Sequence, residues 1–402
     1  MEMKMTRRKI LLLFLTVLLS VFTVSCGKTQ GTGGAAGAGT ESAAETGTDS
    51  APLSYDHSME LDYAEGFAVD YYDGGYALIT ISDGSRFFIV PEGQPVPEKL
   101  PGDRAEGEET VVLEQPADRI YLAATAVMDM FCSIDALDAV SLSGTKEEGW
   151  YIEEAKEAMA SGEIEYAGKY NMPDYEKILD SGCKLAVEST MILHSPEVKE
   201  QLENIGIPVL IDRSSYEEHP LGRTEWVKLY GVLLGKEELA EQVFEEQKQA
   251  MESISVTEST GKTVAFFYIT SNETASVRKS GDYVPKMIGL AGGTYIFSDL
   301  GDDTASSSVN MQMEEFYAGA KDADYLIYNS TIDGGVESLE QLLEKSPLLE
   351  DFKAVREGHV YCTTRNLYQD SMKLGTVISD IHTMLKAEET EDEAFTYLFR
   401  LR

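Results

Sequence analysis

The sequence predicts an α/β fold of two doubly wound lobes joined by one long helix, with an extra antiparallel β meander at the N-terminal side. Three patterns in the 402 residues support this prediction. Short apolar runs alternate with helical segments in two separate series, which is typical of parallel sheets flanked by helices. A stretch with helical spacing lies between the two series. Aromatic and β-branched runs separated by Asp-Gly turns precede both.

The chain begins with a basic segment and an apolar run from Ile10 to Val24, followed by Ser25 and Cys26. This run is too short to span a bilayer comfortably, so the pattern indicates an export signal that ends at a lipid-attachment cysteine. We expect residues 1–25 to be a lipoprotein signal peptide, Cys26 to carry diacylglycerol, and residues 26–55 to be a flexible tether. A plain secretory signal with a bystander cysteine is the alternative.

The meander is expected over residues 56–110. Its strands lie between Phe67 and Pro91, and the Pro-, Gly- and Glu-rich residues 92–110 are expected to form a loop. An adhesin or haem-relay module that uses the meander as an interaction surface is one alternative function.

The first lobe is assigned to residues 111–223. Its clearest unit has Ser195 as a helix cap, Pro196 in the first turn and Gly206 as a helix stop. The predicted strands are Arg119–Ala123, Ile164–Ala167, Lys184–Val187 and Ile207–Ile211, and the other predicted helices are Ala126–Leu137 and Tyr175–Ser181.

The interlobe helix is expected over residues 224–256, and the second lobe over residues 257–402. A helical link favours modest closure around a ligand. Two independent domains on a helical spacer are the alternative, but the predicted C-terminal helix Leu374–Leu385 needs a surface to pack on. The predicted elements of the second lobe are Thr263–Thr270, Val284–Leu290, Tyr295–Phe297, Met313–Ala320, Tyr325–Tyr328, Leu339–Glu344 and His359–Tyr361.

Composition excludes several classes of function. The formal net charge of −37 makes nucleic acid and anionic headgroups poor partners. Three cysteines beyond Cys26 lack a CxxC spacing and the five histidines are dispersed, which argues against a disulfide framework and a His-built metal site. Nucleophile-elbow, P-loop and dinucleotide-binding patterns are missing, so we expect no enzyme. An exported α/β enzyme or chelatase is the alternative from a different class.

Several segments together resemble a known family. They are Ala117–Ala123, Ile134–Val140, Pro173–Val187, Leu202–Ile211, Gly289–Gly293 and Glu315–Tyr328. In their order and spacing they resemble the substrate-binding proteins of bacterial ABC importers for iron–siderophore, haem and cobalamin, the class with a helical backbone. The resemblance covers roughly residues 111–390.

The resemblance implies a ligand cleft between the two lobes, lined by loops at the carboxyl ends of the strands. Arginine can pair bidentately with anionic oxygens of an iron chelate, and tyrosine offers a flat face with a hydroxyl. The candidate ligand-binding residues in those loops are Arg223, Arg278, Arg365, Tyr170, Tyr216, Tyr283 and Tyr368. Each candidate has an alternative role. Arg223 would instead cap the linker helix or form an ion pair with it. Arg278 and Arg365 would be solvated surface residues, and the tyrosines would be ordinary packing residues.

The resemblance also implies partners. Glu176 and Glu315 fall where the family presents one glutamate from each lobe to arginine pockets of the membrane permease, with solvated helix-face glutamates as the alternative. We expect a monomer without a resident cofactor or metal. We expect it to be lipid-anchored to the outer face of the cell membrane, and the resemblance implies that the cell is Gram-positive. The expected ligand is a ferric siderophore, with haem or cobalamin as alternatives, and the expected partners are an ABC permease and its ATPase.

Overall fold

The structure is a computed structural model that describes residues 53–101, 110–254, 259–301, 307–332, 334–386 and 395–402. Cys26, the signal peptide and nearly all of the tether lie outside the described residues. Within the described ranges, no helix is both long enough and apolar enough to cross a membrane.

The N-terminal sheet has five strands in the order β1-β2-β3-β4-β5. The first four pair antiparallel, as the meander prediction requires, whereas β5 runs parallel to β4. The long segment after β4 explains this difference, because a parallel neighbour needs a crossover rather than a tight turn. The strands are β1 (Tyr55–Ser58), β2 (Phe67–Tyr72), β3 (Tyr76–Ile81), β4 (Arg86–Val90) and β5 (Thr110–Glu114).

Lobe 1 contains a five-stranded sheet that is parallel throughout, in the order β12-β11-β6-β7-β8. Its strands are β6 (Ile120–Leu122), β7 (Val140–Ser143), β8 (Glu165–Tyr166), β11 (Leu185–Ser189) and β12 (Val209–Asp212), and a small hairpin is made by β9 (Gly168–Lys169) and β10 (Met172–Pro173). Its helices are α1 (Thr125–Ser133), α2 (Glu153–Ser161), α3 (Tyr175–Asp180) and α4 (Pro196–Asn204).

Two helices, α5 (Pro220–Leu234) and α6 (Glu237–Ile254), replace the single long helix predicted between the lobes. Gly235 separates them with a left-handed φ of 66°. This conformation ends α5 and turns the chain back, because glycine adopts it without the steric cost that other residues meet. The connection is therefore a packed helical pair rather than one rod.

Lobe 2 has a mixed sheet with the order β16-β14-β13-β17-β18-β19, and β15 also pairs with β13. Its strands are β13 (Thr263–Ile269), β14 (Ala275–Arg278), β15 (Thr294–Tyr295), β16 (Ser308–Met311), β17 (Tyr325–Tyr328), β18 (Val360–Thr363) and β19 (Leu398–Arg400). Its helices are α7 (Tyr283–Leu290), α8 (Met313–Ala320), α9 (Leu339–Lys345), α10 (Lys353–Glu357) and α11 (Leu374–Lys386).

The antiparallel strands β14, β16 and β19 are absent from the sequence prediction. Arg278, which was expected in a loop, is instead the last residue of β14. Strands of only three or four residues without a long apolar run give little signal in a sequence. The buried core is shared by the N-terminal sheet, both lobes and the two linking helices.

Glu188 on β11 is a fully buried carboxylic acid in lobe 1. Neither of its carboxyl oxygens has a hydrogen-bond partner within the described part of the chain. Burial raises the pKa of Glu188 to about 8, because the charged form loses its hydration. The group is therefore mostly protonated at neutral pH in the folded protein.

We predict that Glu188→Gln alters how stability depends on pH. The folded protein retains this proton up to about pH 8, whereas an unfolded glutamate loses it near pH 4.5. The wild-type free energy of unfolding therefore falls as pH rises through this interval, and the glutamine variant lacks that loss. Between pH 4.5 and pH 8.5 the wild type should lose on the order of 4 kcal/mol of its free energy of unfolding relative to the variant, measured by urea denaturation at both pH values. Equal pH profiles for the two proteins would contradict this, and the exposed Glu200→Gln serves as the control.

Candidate ligand-binding site

A cavity of about 410 Å³ lies at the carboxyl edge of the lobe 1 sheet. Residues that follow β6, β7 and β11 line it, because parallel strands present their carboxyl ends at one edge. The lining consists of Ala123, Thr125, Gly144, Thr145, Lys146, Glu148, Gly149, Tyr166, Lys169, Tyr170, Ser189 and Met191. Two tyrosine rings and a thioether thus form apolar walls. The charged groups are Lys146, Lys169 and Glu148, and Glu148 pairs with Lys146 at 3.9 Å.

A polar cluster forms between α5 and lobe 2 around two arginines. The Arg223 guanidinium lies 4.8 Å from the ring centre of Tyr283, and the Arg278 guanidinium lies 5.2 Å from that of Tyr368. Arg278 also donates hydrogen bonds to the Tyr368 hydroxyl and to Asp282, the latter at 3.3 Å. Cationic groups over aromatic faces are stabilised by the ring quadrupole, so each arginine is held against a tyrosine.

The hydrogen-bonding capacity of this cluster is not exhausted. The Nε atom of Arg223 is buried and has no hydrogen-bond partner among the described residues. The Arg278 side chain keeps 16% of its surface exposed, and the Asn329 amide donates to the Tyr368 hydroxyl at 3.0 Å. A buried donor without a partner is costly, so a ligand oxygen that accepts from Arg223 would remove that cost.

Burial and neighbouring charges set the ionisation of the cluster. Burial raises the pKa values of Asp282 and Tyr283, and the two arginines oppose that rise. Burial also raises the pKa of Asp212, which accepts hydrogen bonds from Ser214 and Tyr230. The two guanidinium groups are permanently charged, and Asp212 and Asp282 offset that charge to the extent that they are ionised.

One short segment links this cluster to the lobe 1 cavity. Gln369 follows Tyr368, and its side chain donates to the Gly149 carbonyl at 2.8 Å and accepts from the Tyr151 amide at 2.8 Å. Gly149 belongs to the cavity lining. Ser371 donates to the Ala126 carbonyl at 2.6 Å. The lobes are therefore bonded to each other beside the cavity, and the cluster lies next to this contact.

A carboxylate strengthens the same contact from lobe 1. Asp129 on α1 is buried and accepts from the Met372 amide at 2.8 Å. Burial raises the pKa of Asp129 to about 6, although the hydrogen bond from Met372 acts in the opposite direction.

The structure brings together four of the seven residues that the sequence analysis selected as ligand-binding, namely Arg223, Arg278, Tyr283 and Tyr368. Arg223 lies on α5 rather than in the expected loop. Tyr170 lines the lobe 1 cavity.

Two of the selected residues lie outside the cluster and the cavity lining. Tyr216 lies under the guanidinium of Arg213, at 5.3 Å from it. Arg365 is exposed and makes no hydrogen bond or ion pair within the described ranges.

Glu176 and Glu315 both lie in the first turn of a helix, on α3 and α8, and both are exposed. Exposed side chains at these positions can reach a partner protein, and their contact with a permease stays a prediction.

Several site residues were not selected from the sequence. Asp282 is the N-cap of α7 and accepts from the Val284 amide at 2.9 Å, so its capping position is visible in the sequence. Asn329 follows β17 and Met191 lies in a short 3-10 helix after β11, and neither residue was selected. Lys146 follows β7, a strand of four residues that the sequence analysis did not predict. Tyr166 lies on β8, where a strand was predicted, but this tyrosine was not selected.

The cysteines and the residue types that bind metals are dispersed over the described part of the chain. Within the described ranges, Cys132, Cys183 and Cys362 form no disulfide bond. Across the described ranges, no group of three or more His, Cys, Asp or Glu side chains is arranged to hold a metal ion.

Comparison with known families adds the decisive observation. The sequence profile described as "Periplasmic binding protein" matches residues 125–367, which is more than half of the chain. The chain belongs to the periplasmic binding protein family. Members of this family are substrate-binding proteins rather than enzymes, and they act outside the cytoplasm with an ABC permease and its ATPase. The family prediction is thereby confirmed.

Two proteins of Methanocaldococcus jannaschii described as uncharacterized lipoproteins are similar in sequence. One is 28% identical over 78% of this chain and 75% of its own length. The other is 23% identical over 74% of this chain and 74% of its own length.

Solved structures confirm the fold. A periplasmic heme binding protein from Pseudomonas aeruginosa superposes with a TM-score of 0.55 at 14% identity, over 71% of this chain and 98% of its own. A protein of an ABC-type Fe3+-hydroxamate transport system from Saccharomonospora viridis gives a TM-score of 0.54 at 16% identity, over 68% of this chain and 95% of its own.

Proposed function

We propose that this periplasmic binding protein is a lipoprotein that captures a ferric siderophore or a related anionic metal chelate between its lobes and delivers it to an ABC permease. The observation that carries the proposal is the convergence of Arg223 and Arg278 from α5 and lobe 2, beside the contact that joins the lobes next to the cavity.

The chemistry of the site supports an anionic chelate. Two permanently charged guanidinium groups, one with an unpartnered Nε, match carboxylate, hydroxamate or catecholate oxygens around ferric iron. The tyrosines and methionine of the cavity provide apolar walls for the organic part of such a chelate. The similar fold of a protein from an Fe3+-hydroxamate transport system agrees with this assignment.

Haem is the second candidate, and one observation favours it. Tyr166, Tyr170 and Met191 line the same cavity, and tyrosine and methionine are both residue types that ligate haem iron. Lys146 and Lys169 would then face the propionates. A periplasmic heme binding protein among the similar structures supports keeping this candidate.

We predict that Arg223→Ala and Arg278→Ala each weaken binding of an anionic ferric chelate about ten- to a hundredfold. A charge-assisted hydrogen bond contributes about 1.5–3 kcal/mol, which corresponds to that loss. Lysine at either position should restore binding only in part, because it keeps the charge and loses the planar fork. The measurement is a fluorescence titration with a ferric trihydroxamate, a ferric triscatecholate, haemin and cobalamin.

Exposed Arg365→Ala is the matched variant in this titration, since it removes the same side chain away from the cluster. We expect a smaller loss for it than for the two cluster arginines. Wild-type affinity in both cluster variants, or tight binding of cobalamin alone, would contradict the anionic-chelate assignment while leaving the family intact.

We predict that Glu176 and Glu315 dock the lobes on the permease. Each exposed carboxylate would pair with a permease arginine, and Glu176→Arg or Glu315→Arg would place like charges together there. Uptake by cells should fall while ligand affinity of the purified protein stays unchanged. Exposed Glu200→Arg is the control for added charge. Equal loss of uptake and affinity in a folded variant would assign these glutamates to another role.

We predict that Cys26 anchors the protein to the outer face of the membrane through diacylglycerol. Cys26→Ala should block the processing that follows lipidation and release the protein from the membrane fraction, as followed by mass spectrometry and cell fractionation. Cys132→Ala, which changes a thiol inside lobe 1, is the control. A Cys26 variant that is normally processed and stays membrane-bound would rule out this anchor.

A further inference from the structure

The segment 62–66, which we name the strap, joins β1 to β2 and lies against α5. Its five consecutive backbone amides all donate to two carboxylates. The amides of Asp62, Tyr63 and Ala64 donate to Glu225 at 2.9, 2.8 and 2.8 Å. Those of Glu65 and Gly66 donate to Glu217 at 3.0 and 2.8 Å. Such a concave row of amides is a strong anion-binding arrangement.

Both carboxylates are deeply buried, with 0% of Glu225 and 5% of Glu217 exposed. Glu225 also pairs with Lys228 at 3.2 Å, and Glu217 accepts from the Trp226 indole at 2.8 Å. A buried carboxylate is tolerated only when its oxygens are fully bonded. The strap supplies most of those bonds, so it cannot leave α5 without exposing or orphaning two charges.

The strap packs closely against Glu217 and the first turns of α5. A Cβ atom on Gly66 would lie 2.7 Å from a Glu217 carboxylate oxygen and 2.8 Å from the Trp226 ring, so only glycine fits there. Tyr63 stacks on His219 with ring centres 4.5 Å apart, and His219 is the N-cap of α5. The strap therefore packs closely against the first turns of this helix.

Arg223 lies in those same first turns, between Glu217 and Glu225 along the chain. Its guanidinium is held over Tyr283 and near Asp212 and Asp282, and its Nε lacks a partner among the described residues. Tyr283 contacts it through its ring face and a side-chain hydrogen bond, and all of these groups lie on elements other than α5. The orientation of its side chain therefore depends on where the backbone of α5 is held.

The N-terminal sheet is buried on one face and partly buried on the other. Phe67, Val69 and Ile79 pack into the main core on one face. On the other face, Phe88 and Val90 are buried against partly buried neighbours that include Leu100. Other strand positions, including all of β1, Ala68 and Val112, are exposed or partly exposed.

We propose that the strap is a brace that positions Arg223. Glu217 and Glu225 are then positioning residues, and the N-terminal sheet contributes to ligand binding by holding α5 in place. The consequence for ligand affinity rests on the proposed function, whereas the bracing of α5 does not.

The test compares Glu217→Gln and Glu225→Gln with Asp62→Asn. Each glutamine replaces one acceptor oxygen by an amide that faces the backbone donors, which weakens the brace. Asp62→Asn removes the exposed ion pair between the strap and Lys248 but leaves the backbone cradle intact, so it is the matched control. Glu217→Asp and Glu225→Asp keep the charge with a shorter reach and replace the glutamine variants if those fail to fold.

The first measurement is hydrogen exchange of the ligand-free protein, followed by mass spectrometry. We expect each glutamine variant to exchange at least tenfold faster both in residues 62–66 and in the first turns of α5, and the control to match the wild type. Faster exchange in the strap with unchanged exchange in α5 would overturn the proposal, whether or not any ligand binds.

The second measurement is a double-variant cycle on the affinity for the ferric trihydroxamate or for haemin, whichever binds. We expect Glu217→Gln or Glu225→Gln to weaken binding three- to tenfold in the wild-type background and to have no further effect when Arg223→Ala is present. Equal losses in both backgrounds would overturn positioning through Arg223. If Arg223→Ala itself has no effect, the proposed binding role of Arg223 fails, and the exchange measurement alone decides whether the strap braces α5.

Discussion

The burial of charge on α5 is the constraint on which the rest of the structure depends. All 15 residues of this helix are buried, including Arg223, Glu225 and Lys228. A buried charge must be paired or fully hydrogen-bonded, or it destabilises the fold by several kcal/mol. Each of these charged side chains is held by a different part of the molecule, although the Arg223 Nε has no hydrogen-bond partner among the described residues. Arg223 is held by lobe 2, Glu225 by the N-terminal sheet, and Lys228 by Glu241 of α6 at 2.9 Å.

This arrangement ties the fold to the site. The same helix whose charges join the N-terminal sheet, α6 and lobe 2 also carries the arginine that we assign to the ligand. A second connection, through Gln369, Ser371 and Met372, bonds lobe 2 to lobe 1. Because the lobes are joined by a helical pair and by this contact, ligand binding is expected to involve small adjustments rather than wide opening. Such a pre-formed site limits the conformational entropy lost on binding.

The architecture could be predicted from the sequence because long periodic patterns of apolar residues indicate the helices and strands. The α/β class, the two lobes and several elements, such as α8 and β17, follow directly from the spacing of apolar residues. The mixed sheet of lobe 2 could not be predicted, because β14 and β16 have only four residues each. Of the seven residues selected as ligand-binding, Arg223, Arg278, Tyr283 and Tyr368 lie in one cluster, and their binding role stays a prediction. Asp282 and Glu217 were not selected. Their roles arise from contacts between distant segments, which no local pattern encodes.

The central claim is that a small chelate binds between the lobes, where the arginine cluster adjoins the lobe 1 cavity. The most direct measurement is a crystal structure of the protein purified with its ligand from the cells that produce it, with the ligand identified by absorption spectroscopy. The account predicts electron density for a metal chelate in contact with Arg223 or Arg278 and with the cavity that Tyr170 lines. A chelate bound only outside this region, for example on the N-terminal sheet, would contradict it.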